Sequence, residues 1–167
     1  MSQENSADVA QSRVSAIVPM ARREFVSTIV TGLGVGLVIA GLFYLFNSLV
    51  FTPVLCRAQS TTGCEQAPNY AMIIALVIGS IGGVAALARQ RVYRPLLIVL
   101  AAALTLWSVQ GVLANNAFAW YVAVPITGAL FALGYAAFGW LSRIRNFILA
   151  LIAIVILAVV TRLVFVG

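Results

Sequence analysis

FVSTIVTGLGVGLVIAGLFYLFNSLVF, residues 25–51, decides the fold. It contains no charged side chain. A helix rises 1.5 Å per residue, so about 20 apolar residues cross the hydrocarbon core of a bilayer. The stretch is longer than that. It is also longer than the apolar core of a cleaved signal peptide, about 7–15 residues. It predicts a membrane-spanning helix.

Working outward, four further apolar stretches follow, at 70–88, 95–114, 120–141 and 147–166. Each is about twice the length of a barrel strand and lacks its alternation. The expected fold is therefore all-α: a polytopic bundle of five transmembrane helices in one domain, 25–167. A polar, partly disordered segment, 1–24, precedes it, and an outer loop spans 52–69. Composition agrees. Of 167 residues 63% are hydrophobic and 8% charged, against about 25% charged in soluble domains. A soluble fold of this size could not hide so much apolar surface. The links RQRVYR, NNAFA and SRIRN are short, so helices joined by them should be antiparallel neighbours. The five stretches do not divide into matching halves, which leaves a pseudo-symmetric transporter unsupported.

The net charge is +6, carried by arginine without lysine. The arginines cluster at the ends of apolar runs, a topology pattern rather than a nucleic-acid footprint. Arg13, Arg22, Arg23, Arg89, Arg91, Arg94, Arg143 and Arg145 fall on one side of the bundle; Arg57 and Arg162 fall on the other. The positive-inside rule then puts the N-terminus in the cytoplasm and the C-terminus outside. Tyr70, Trp120 and Tyr121 fall at the outer interface, and Tyr93 and Trp140 at the inner one. Arginine without lysine, beside Ala/Val/Leu-rich helices, suggests a bacterial chain and hence the cytoplasmic membrane. Arg162 lies near the chain end and is read as snorkelling to outer headgroups, with Glu65 or a lipid phosphate as other partners.

Cys56 and Cys64 are the only cysteines. They face the oxidising side in this orientation and are expected to form a structural disulfide closing the outer loop. A membrane thiol–disulfide oxidoreductase is the competing reading, but the spacing is Cys-x7-Cys with no second pair. There is no histidine, and two cysteines alone leave a zinc half-ligated. No metal, cofactor or catalytic residue is assigned.

No Asp, Glu or Lys lies in any predicted span, which argues against proton-driven transport. Tyr44, Asn47, Thr105, Gln110, Thr127, Tyr135 and Thr161 remain as interhelical hydrogen-bond groups or the lining of a polar track. Small residues four apart form ridges: Gly32, Gly36 and Ala40; Ala71, Ala75, Gly79 and Gly83; Gly128, Ala132 and Ala136. Such ridges let helix backbones approach. Helices one and two are expected to meet through Gly32, Gly36, Gly79 and Gly83. GLGVG within the first span resembles half of a dinucleotide fingerprint, but no strand precedes it.

The functional expectation is a non-catalytic multipass subunit or scaffold acting through helix packing. Its partners would be the lipid bilayer and either further copies of the chain or another membrane protein, with no nucleic acid. An oligomeric channel or facilitator for a small solute is the alternative.

Overall fold

The computed structural model describes residues 22–56, 61–92, 94–115, 119–144 and 146–166. These form five helices: α1 Arg22–Leu55, α2 Thr61–Arg89, α3 Pro95–Asn115, α4 Trp120–Leu141 and α5 Phe147–Val166. There is no strand among the described residues. α1, α2 and α4 are each long and apolar enough to cross a membrane.

Three boundaries differ from expectation by more than one residue, and the first is the end of α1, at Leu55 rather than Phe51. α1 begins at Arg22 rather than Phe25; residues 1–21 of the N-terminal segment lie outside the described residues. α2 begins at Thr61 rather than Tyr70, so most of the expected outer loop is helical. The polar run TTGCEQAPN marks where the apolar stretch ends, but a helix can continue past that point. Pro68 sits inside it and removes one backbone bond without ending the helix.

α1 is not uniform. It is α-helical from Arg22 to Phe46, opens into one π-helical turn at Asn47–Phe51, and closes as α-helix over Thr52–Leu55. Pro53 explains the wide turn. It has no N–H to offer the Leu49 carbonyl, and the Thr52 N–H reaches back five residues to Asn47. α3 begins with Pro95, where a missing N–H is harmless.

α1 to α4 form a ring in which α1 lies between α4 and α2, and α3 closes the other side against the same two helices. Neighbours run antiparallel. On α1–α4, Gly32 meets Tyr135 and Gly36 meets Gly128; on α1–α2, Val35 meets Gly83 and Ile39 meets Gly79. α5 stands outside the ring, mainly against α3 and only slightly against α4, its neighbour in sequence. The ring's core includes Ile39, Phe43, Ala75, Leu87, Ile98, Val99, Ala102, Phe131 and Tyr135.

Candidate functional site

The small-residue ridges come first, because they set how closely the ring closes. A Cβ on Gly32 would stand 2.7 Å from Tyr135 Cβ and 2.9 Å from the Phe131 carbonyl oxygen. One on Gly36 would stand 2.7 Å from Phe131 Cβ and 2.9 Å from Gly128 Cα. Some of these neighbours are backbone atoms, which cannot swing aside. This corrects the expected pairing: the α1 ridge lies against α4, not α2. The α2 ridge does face α1, but through side chains. Ile39 sits on Gly79, while Val35 and the Tyr135 hydroxyl lie over Gly83. Gly128 lies under Leu37 on the α1–α4 seam.

The polar side chains inside the ring mostly turn back on their own helices. Thr105 donates to the Ala101 carbonyl at 2.6 Å, and Thr127 to the Ala123 carbonyl at 2.9 Å. On α5, Thr161 donates to the Leu157 carbonyl at 2.8 Å. Tyr44 packs edge-on against Phe43. Among the described residues the buried Tyr135 hydroxyl and Asn47 Oδ1 have no hydrogen-bond partner. The side chains of Gln110 and Arg162 lie outside those described.

Arg22, Arg23, Arg89, Arg91, Arg94 and Arg143 gather at the end of the bundle formed by the starts of α1, α3 and α5 and the ends of α2 and α4. Arg143 is buried there, and its guanidinium contacts the Glu24 carboxylate at 2.8 Å. The pair ties the first turn of α1 to the segment after α4. Ser142 supports the corner by donating to the Gly139 carbonyl at 3.0 Å. Arg143 is therefore more than a charge at a helix end. A separation of 119 residues between the partners leaves no local sequence signal for the pair.

Arg91 ends α2 in an unusual way. Its φ is 54°, in the left-handed region glycine normally supplies. Val92 N–H bonds the Leu87 carbonyl and Arg91 N–H the Ala88 carbonyl, both at 3.1 Å, the paired bonds of a Schellman cap. Arg94 also has positive φ, 53°, and lies over the Phe147 ring at 5.0 Å, tying this loop to the start of α5. Arg22, Arg23 and Arg89 are exposed. Arg145 and Tyr93 lie outside the described residues.

Two adjoining grooves open at this end. A groove of about 240 Å³ is lined by Arg23, Glu24, Ser27, Gln90 and Val92. A more open one of about 470 Å³ adds Arg22, Val26, Val30 and Thr31. Gln90 Nε2 donates to the Thr31 hydroxyl at 2.9 Å across the α1–α2 seam, and Thr31 donates to the Ser27 carbonyl. The arrangement offers cationic and amide donors above an apolar wall. It suits binding of an anion more than bond-breaking.

At the opposite end Cys56 and Cys64 are disulfide-bonded, with Cα atoms 4.7 Å apart. The bridge joins the end of α1 to the start of α2, and Phe51 stacks on Tyr70 beside it. Among the described residues no three His, Cys, Asp or Glu side chains gather as metal ligands would. No known protein family, curated protein or solved structure matches this chain.

Proposed function

We propose that the chain is a multipass membrane protein that works by helix packing, as a non-catalytic subunit or scaffold of a membrane assembly. In this reading the arginine-bearing end faces the cytoplasm of a bacterial cell, and the disulfide faces outward. The filled centre of the ring is the observation that carries it. Phe131, Tyr135, Ile39 and Val99 close the middle, and Thr105 and Thr127 direct their hydroxyls to their own backbones. A conduit through one copy would need polar groups turned toward a common path. Outside, large apolar residues such as Leu33, Ile81, Leu133, Ile152 and Val159 stand exposed on four helices, as a surface in contact with lipid or partner helices would require.

The test is extraction of the tagged chain from its native membrane in mild detergent, after cross-linking. The expected result is a discrete complex with a different membrane protein. Recovery of homo-oligomers alone, with solute flux in proteoliposomes, would replace this reading with a channel. Thiol–disulfide exchange that either Cys→Ser change abolishes would replace it with an oxidoreductase. Orientation is tested in a background lacking Cys56 and Cys64. Asn146→Cys should react with an impermeant thiol reagent only after permeabilisation, and Trp120→Cys should react from outside.

A further inference from the structure

We propose that the cleft between the first turns of α1 and the end of α2 binds the headgroup of an anionic phospholipid. The inference rests on the membrane reading above and adds a specific ligand to it. Three observations converge on it.

The first is charge. Glu24 is the acid in the cleft lining, and Arg143 already neutralises it at 2.8 Å. Among the described residues no carboxylate stands within ion-pair distance of Arg22 or Arg23. The cleft therefore keeps a net positive rim. Guanidinium groups present a planar fork of donors that matches phosphate oxygens.

The second is the donor set. Gln90 uses one amide N–H on Thr31, and a side-chain amide has two. Ser27 lines both grooves beside it. Neutral donors thus stand next to the arginines, as recognition of a phosphodiester requires and a simple charge anchor does not.

The third is the wall below. Val26 and Val30 line the more open groove and are 57% and 62% exposed. They run down α1 away from the arginine end, a turn apart on one face. A free inorganic anion has no use for that strip, whereas an acyl chain hanging from a bound headgroup would cover it. The ligand class is therefore a phosphodiester lipid with net negative charge.

Native mass spectrometry of the protein in a neutral detergent tests this, with phosphatidylglycerol or phosphatidylcholine titrated in. Phosphatidylglycerol should bind saturably, roughly tenfold or more tighter than phosphatidylcholine. The double change Arg22→Gln/Arg23→Gln should remove most of that preference. Arg89→Gln, at the same end but outside the cleft lining, should change it by about twofold or less. Inorganic phosphate at millimolar concentration should not displace the bound lipid. Should the double variant fail to fold, Arg22→Gln and Arg23→Gln separately should each weaken the preference several-fold.

An undiminished preference in the Arg22 and Arg23 variants overturns the site. So does an equal loss in Arg89→Gln, which would reduce it to general surface charge. Displacement by phosphate would make it a free-anion site instead. Alkaline carbonate extraction of native membranes separates this failure from failure of the membrane reading. A chain that stays in the pellet yet shows no lipid preference loses only the site; release into the supernatant removes the membrane reading itself.

Discussion

α1 and α5 are both apolar helices long enough to compare, yet they are held in opposite ways. α1 is fastened at three levels. Glu24 meets Arg143 at one end, Gly32 and Gly36 meet α4 backbone along the middle, and Cys56 is bonded to Cys64 at the other end. α5 buries little beyond Ala150 and Ile154, while Phe147, Ile148, Leu151, Val155 and Leu163 stand exposed. Apolar character is common to both. The difference lies in missing side chains: α1 has glycines where another backbone can enter, and α5 has none before Gly167. Close packing in lipid depends on that surface relief more than on hydrophobicity, because lipid tails satisfy an apolar side chain as well as a neighbouring helix does.

The comparison can be broken at each fastening. Gly36→Leu should have the largest effect, about 3 kcal/mol or more of destabilisation, since the new side chain meets Phe131 and the Gly128 backbone. Denaturant unfolding in detergent measures it. Gly34→Ala, where an added Cβ meets nothing, should be neutral or slightly stabilising. Equal losses at Gly34 and Gly36 would mean the seam lies elsewhere.

Replacing Cys56 and Cys64 by serine comes next. Chain-entropy bookkeeping for the short loop gives about 2.6 kcal/mol. A far smaller loss in thermal unfolding would show that the helices hold the loop without the bridge.

Ile154→Ala tests α5 itself, with about 2 kcal/mol expected. That is the low end for such truncations, because an outlying helix can settle into the space left behind. A loss matching Gly36→Leu would put α5 on a par with α1. Glu24→Gln follows, at about 1–2 kcal/mol, since it leaves the buried Arg143 guanidinium with a neutral partner, while Glu24 is itself half-exposed. Tyr135→Phe is the smallest and has the opposite sign. Removing a buried hydroxyl with no hydrogen-bond partner among the described residues should stabilise by about 1 kcal/mol. A destabilised Tyr135→Phe would reveal a partner for that hydroxyl.

The five helices were legible because each is written as one uninterrupted apolar run, and helix length is a local property. The start of α2 was not, because Thr61 to Asn69 is polar, and polarity reports the end of burial rather than the end of helix. The ridges on α1 and α2 were legible as ridges. Their partners were not, since spacing marks a face but says nothing of which helix comes to meet it. Nor does any pattern connect Glu24 with Arg143. The cleft at the arginine end was visible only as a cluster of charge; that Glu24 is already neutralised, leaving Arg22 and Arg23 over, needed the fold.

The π turn at Asn47–Phe51 acts as a phase shifter. Each residue of an α-helix advances the side chain by about 100°, and a π turn holds one residue more than the α turn it replaces. Below it, Gly32, Gly36 and Phe43 are locked to the ring. Phe51, the last residue of the turn, faces Tyr70, and above it Cys56 must point toward Cys64. The two halves of α1 thus answer to different azimuths, and the wide turn supplies the offset between them. Closing that turn as even α-helix with every residue kept would swing Cys56 away from Cys64 by about that same angle. The thiols would then be out of register although neither cysteine had been touched.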